Sequence, residues 1–205
     1  NPNKKIILFG HSMGSLLSRE YATRYSEDLA ALILSGTASF MKGLGSFGLL
    51  SAQFLGKLNG KHRSNELLKN LFISQFNKKF KPNRTRVDWI SSDEKQVDLF
   101  EADPLRIEDF SLSVFRDILK GSKKTNQDAT FEKTPKNLPI FIFSGDKDPV
   151  GEMGKGVKKV VKKYKNAGIV NLTLKLYSEG RHEMLNEINK EEVEKDVLNW
   201  LNEIF

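Results

Sequence analysis

Ile6-Ile7-Leu8-Phe9-Gly10-His11-Ser12-Met13-Gly14 decides the fold. The run Lys4 to Phe9 ends in four apolar residues with no polar alternation, the pattern of a buried strand in a parallel sheet. A helix is expected from Met13 to about Tyr25, with Leu17, Tyr21 and Tyr25 as its buried stripe and Arg19, Glu20 and Arg24 elsewhere. Leu29 to Leu34 then reads as a second strand ending at Ser35-Gly36, so the first 36 residues predict a right-handed parallel βαβ unit.

Gly10-His11-Ser12-Met13-Gly14 fits a G-x-S-x-G elbow between strand and helix, which presents Ser12 Oγ at the end of the sheet. Side chains at Gly10 and Gly14 would collide with the neighbouring strand or helix. The Met13 N–H, at the helix N-terminus, is the candidate oxyanion donor.

A serine needs a base and an orienting carboxylate from elsewhere in the fold. There are three histidines in 205 residues. His11 is expected to point away from Ser12 around the turn, and His62, between Lys61 and Arg63, to be solvated. His182 is the candidate base, in the loop Ser178-Glu179-Gly180-Arg181 that follows an expected strand from Leu172 to Tyr177. For the acid, a strand from Leu138 to Phe143 leads into Ser144-Gly145-Asp146-Lys147-Asp148-Pro149-Val150. Asp148 is preferred over Asp146, because Pro149 holds it in an extended conformation.

Between these parts, 37–136 is rich in Lys, Asn, Phe and Leu and has several helical periodicities, among them Leu67, Leu68, Leu71, Phe72 and Phe76. It is expected to be a mostly helical insertion. Residues 1–36 and 137–205 would form the core, with helices also at Glu152 to about Lys165 and Lys190 to Ile204.

The chain is 39% hydrophobic, enough for one core with an appendage, and no run reaches the length of a membrane-spanning helix. The absence of cysteine excludes disulfides and thiolate chemistry and fits a reducing, cytoplasmic setting. The formal charge of +7 suggests nucleic acid or anionic lipid. However, Lys155, Lys158, Lys159, Lys162, Lys163 and Lys165 alternate with Val157, Val160, Val161 and Tyr164, the pattern of a solvated face over a packed stripe, so no nucleic-acid partner is expected.

Taken together, the GHSMG segment with Ser15, Arg19 and Tyr21, the Leu34-Ser35-Gly36 strand end, the Asp146-Lys147-Asp148-Pro149-Val150 loop, and Tyr177 with Gly180-Arg181-His182-Glu183 resemble the monoacylglycerol lipase and lysophospholipase group of α/β-hydrolases. Trp89-Ile90-Ser91 with Asp93, then Asp103-Pro104 and Phe110, are similar to the cap of bacterial members, while Leu105 to Glu108 departs from the turn that relatives often carry there. The order Ser12, Asp148, His182 is that of α/β-hydrolases. The resemblance implies an α/β-hydrolase parallel sheet with helices on both faces, an inserted helical cap, a Ser-Asp-His triad that uses no metal or cofactor, and a small lipid ester as substrate. The apolar residues Phe40, Met41, Leu44, Phe47, Leu49 and Leu50 either line an acyl-chain path or a lid touching the membrane periphery, or form an ordinary helix core. It also implies that N-terminal strands and the loop donating the second oxyanion N–H are missing from this chain and belong to a preceding segment or a second chain. The bare edge of the first strand is then expected to drive association.

Overall fold

The computed structural model describes residues 5–60, 62, 70, 74–106 and 111–205. Four strands, β1 (Ile6–His11), β2 (Leu29–Ser35), β3 (Ile140–Gly145) and β4 (Leu172–Tyr177), form one parallel sheet in sequential order. Helix α1 (Met13–Ala22) joins β1 to β2. Between β2 and β3 lie α2 (Lys42–Asn59), α3 (Glu94–Ala102), α4 (Leu112–Thr125) and α5 (Asp128–Glu132), with no strand among the described residues. Helix α6 (Lys155–Asn166) joins β3 to β4, and α7 (Lys190–Ile204) closes the chain.

Strand alternation sends successive side chains to opposite faces of the sheet. Leu32, Leu34, Ile140 and Ile142 pack with Ala22, Phe131 and the α6 stripe Val157, Val160, Val161 and Tyr164. Ala31, Ile33, Phe141 and Phe143 pack on the other face with Tyr177, Met184, Val193 and Trp200, the last two from α7. Helices therefore cover both faces, the α/β-hydrolase architecture expected.

Four local expectations are corrected. The α1 stripe is reversed: Ser15, Ser18, Arg19 and Ala22 are buried, whereas Leu17 and Tyr25 are 63% and 48% exposed. Small side chains let α1 lie close to the sheet, and the buried Arg19 guanidinium donates to the carbonyls of Ala38 (3.2 Å) and Thr125 and stands over the Phe131 ring. Helix α6 starts at Lys155 rather than Glu152, because Glu152, Met153 and Gly154 all have positive φ (53°, 55° and 78°), which breaks the helical path. Strand β3 begins after Pro139, whose carbonyl accepts from Leu32 N. Gly14 faces open space, so only Gly10 meets the steric demand expected of both. Of the stripe expected in the inserted stretch, Leu67, Leu68, Leu71 and Phe72 lie outside the described residues, as do Phe110 and Glu108. Among the described residues no helix is long and apolar enough to cross a membrane.

Candidate active site

Ser12 stands between β1 and α1 with φ 52° and ψ −118°, a conformation that costs a non-glycine residue about 1–3 kcal/mol. The surroundings hold it there. Ser12 N donates to Ser35 O (2.9 Å), and Ser12 O accepts from Ser15 N (3.0 Å) and Ser15 Oγ (2.6 Å). A Cβ on Gly10 would overlap Ser18 Oγ and lie 2.6 Å from Gly14 O, so the turn closes only on glycine. Met13 is the first residue of α1, and its N–H points from the positive end of the helix dipole.

His182 and Asp148 come from the ends of β4 and β3. Their loops touch through Lys147 N to Gly180 O (2.9 Å), and a Cβ on Gly145 would overlap the Gly180 carbonyl. His182 Nε2 lies 2.9 Å from Ser12 Oγ, and His182 Nδ1 lies 3.1 Å from Asp148 Oδ2. Asp148 is fully buried and accepts from Ser144 Oγ (3.1 Å) and Val150 N (2.8 Å). Asp146 is occupied elsewhere, accepting from Glu179 N at 2.9 Å. Burial, the largest influence, pulls the His182 pKa down, but the charge and hydrogen bond of Asp148, with the charge of Glu183, outweigh it and leave the pKa raised. Such a histidine can take a proton from Ser12 Oγ and hold it beside a carboxylate.

The setting of His182 differs from expectation at His11. Far from pointing away, the His11 ring packs on the His182 ring with centroids 4.8 Å apart, and its Nδ1 lies 3.1 Å from Ser35 Oγ. Burial, then the neighbouring His182, lower the His11 pKa to about 4 against the opposing pull of Asp148. His11 is therefore neutral near pH 7. The Trp89 ring covers His182 from another side at 5.1 Å. His62 is exposed, as expected. Among the described residues no group of three or more His, Cys, Asp or Glu side chains could hold a metal ion.

Ser144, Trp89 and Glu187 are contributors to this site that sequence reasoning did not assign. Ser144 directly precedes Gly145 at a strand end, a recognisable signal, whereas Trp89 meets His182, and Glu187 meets Ser92, across more than 90 residues of chain.

With this geometry in place, a family model described as serine aminopeptidase, S33, matches residues 1–189. The chain belongs to that family, within the α/β-hydrolases. A highly thermostable carboxyl esterase from Bacillus coagulans is similar at 28% identity with a TM-score of 0.91, over 99% of this chain and 66% of that one. A lipase in its open form is 25% identical with a TM-score of 0.82, over 97% of this chain and 64% of that one. A monoacylglycerol lipase from Paleococcus ferrophilus shares the fold at 20% identity, with a TM-score of 0.74, over 100% of this chain and 70% of that one. The chain thus spans just under two thirds of the first two relatives. No curated protein sequence matches it.

Proposed function

We propose that the complete protein is a serine hydrolase of carboxylic esters, acting on a lipid ester such as a monoacylglycerol or lysophospholipid. The observation that carries this reading is the continuous hydrogen-bonded line from Ser12 Oγ through both nitrogens of His182 to Asp148 Oδ2. His182 Nε2 takes the Ser12 hydroxyl proton as Oγ attacks the ester carbonyl carbon, and Asp148 stabilises the imidazolium. The tetrahedral oxyanion is held by Met13 N–H. As the intermediate collapses, the ester C–O bond breaks and the leaving alkoxide takes the proton from Nε2. Water, deprotonated by the same nitrogen, then attacks the acyl-enzyme, releasing the acid and returning the proton to Ser12.

The second oxyanion donor is assigned to a further segment, in the same or a second chain, pairing beside β1. The 44% exposure of Ile7, with similar exposure at Ile6 and Phe9, supports this, because such an edge calls for a neighbour. A lipid substrate met at a membrane periphery is favoured by the exposed Phe47 and Leu50 on α2, whereas Leu49 of the same run is buried. The family description favours a second reading, cleavage of a small amide or peptide by the same three residues.

The complete protein should turn over p-nitrophenyl esters, longer acyl chains better than acetate, and leave aminoacyl p-nitroanilides intact. The opposite selectivity would select the aminopeptidase reading. Failure of a fluorophosphonate to label Ser12 would remove both.

A further inference from the structure

We infer that Glu187 is a positioning residue for His182, a carboxylate that clamps the His182 loop to the segment 88–92 and thereby sets the imidazole against Ser12 and Asp148. The inference rests on the reading of those three residues as a hydrolytic site.

Glu187 is 2% exposed and touches neither Ser12 nor Asp148. Its Oε1 accepts from Arg181 N at 2.7 Å, the amide directly before His182, and from Ser92 N at 3.0 Å. Its Oε2 accepts from Ser92 N at 3.1 Å, from the Ser92 hydroxyl, and from Ile188 N at 3.3 Å. One side chain thus grips two pieces of backbone: the residue leading into the candidate base, and a segment 95 residues earlier in the chain.

That earlier segment is in turn built against His182. It carries Trp89, whose ring packs on the imidazole at 5.1 Å. Its carbonyl at Ile90 accepts from Glu183 N (2.7 Å), and Ser91 Oγ donates to Asn186 O (2.7 Å). The Arg181 guanidinium donates to the carbonyls of Asp88 and Ser91 (2.9 Å for the latter) and stacks on Phe80 at 4.3 Å. The residues on both sides of His182 are therefore tied to the 88–92 segment, and Glu187 is the acceptor common to the two loops.

Chemistry explains why a carboxylate stands there. All its partners are donors, and an ionised carboxylate is an acceptor only, so every contact is matched. Desolvating a charge is a costly way to gain stability, and apolar side chains of similar volume often do as well. What a carboxylate adds is direction: it fixes two backbones in register, at the sub-ångström tolerance a proton-transferring imidazole demands.

Glu187→Gln in the complete protein tests this, because the amide turns a donor toward at least one of the N–H groups the carboxylate now accepts. We expect kcat on an activated ester to fall about 10- to 100-fold with KM little changed. We also expect the acid limb of the pH–rate profile to move down, and the imidazole proton shared between His182 and Asp148 to shift or broaden in the NMR spectrum. A lower melting temperature with kcat, acid limb and imidazole resonance all at wild-type values would overturn the inference and leave Glu187 a structural group. If Glu187→Gln does not fold, Ser92→Ala decides, since it deletes only the hydroxyl contact: a fall in kcat on the order of 5-fold with the same downward shift is expected, and no change overturns the inference. If the wild type is not labelled at Ser12, the hydrolytic reading fails by itself, while the imidazole resonance still reports whether Glu187 holds His182.

Discussion

Strands β1 and β3 both end at the candidate active site, yet they are enclosed to different depths. Every residue of β3 is buried, and the loop beyond it is pinned by Gly145 against Gly180. On β1, Ile6, Ile7 and Phe9 remain 40–45% exposed, and Leu17 of the following helix faces outward. The acid thus follows a strand paired on both sides, whereas the base, like the nucleophile, follows a strand with one neighbour among the described residues. The nucleophile is held by one neighbouring strand, by a close-packed polar helix face, and by the long reach of Arg19 to Thr125. Within residues 1–205 the strained Ser12 elbow is held by backbone hydrogen bonds to β2 and the start of α1, and the segment proposed to pair beside β1 is what would give that strand the enclosure β3 already has.

If the two halves work as one unit, removing either should be equally ruinous. Ser12→Ala and His182→Ala in the complete protein should each lower kcat by about 10⁴-fold or more, with folding intact by circular dichroism. A His182→Ala variant of ordinary activity would break the assignment. Asp148→Asn should cost nearly as much, about 10⁴-fold, because it loses the tautomer that presents Nε2 as acceptor. Asp146→Asn, which disturbs the turn at Glu179 and the ion pair with Lys147 but no contact of His182, should cost less than about 10-fold. The reverse ranking would move the acid to Asp146. Because His182 acts as a base only when neutral and its pKa is raised, the midpoint of the acid limb of kcat/KM should lie above 6.5.

Much of this arrangement was legible along the chain because it depends on near neighbours. Three apolar runs and the alternating segment Leu172 to Tyr177, each followed by glycine or serine, predict the strands, and strand ends carry the chemistry-bearing residues in a parallel sheet. The departures come from packing against distant parts of the chain and from local backbone that the residue types do not signal. The α1 stripe departs from the helical periodicity because a helix lying close to a sheet needs small residues there, which leaves Leu17 and Tyr25 exposed while Tyr21 packs at the edge of the core. Arg19 looked like a solvated charge because its acceptor carbonyls at Ala38 and Thr125 cannot be foreseen from its own helix. The late start of α6 was hidden because Glu152 and Met153 give no residue-level sign of their left-handed backbone.

Glycine substitutions sharpen the contrast at smaller magnitude. Gly145→Ala drives a methyl into the Gly180 carbonyl, and because both partners are backbone it should destabilise by about 3 kcal/mol. Gly10→Ala meets Ser18 Oγ and Gly14 O and should cost about 1–3 kcal/mol. Gly14→Ala enters open space inside a helix and should be neutral or stabilising by roughly 0.5 kcal/mol in residues 1–205. Denaturant unfolding of the three variants checks the order, and a large loss at Gly14 would mean that the nucleophile side is as closely packed as the other.

The smallest effect is expected at the seam between the halves, where His11 of β1 lies on His182. The His11 pKa in the folded protein is about 4, below the 6.5 of an unhindered histidine. Between those values the unfolded chain binds a proton at this position and the folded chain does not, so His11 makes stability fall as pH drops from 6.5 toward 4. The slope from one such group is on the order of 1 kcal/mol per pH unit. His182 has the opposite sign: with its folded pKa raised, its contribution is complete below 6.5 and is lost only as pH rises through the folded value, so it adds no slope in the acid window. Carboxylates also titrate there, and the informative quantity is the difference between wild type and His11→Gln. Denaturant unfolding at pH 7, 5.5 and 4.5 should show the variant losing less stability on acidification. Parallel curves would mean that His11 is hydrated and protonates freely in the folded state. The ring contact with His182 would then be too loose to join the two halves, and the contrast between β1 and β3 would extend into the site itself.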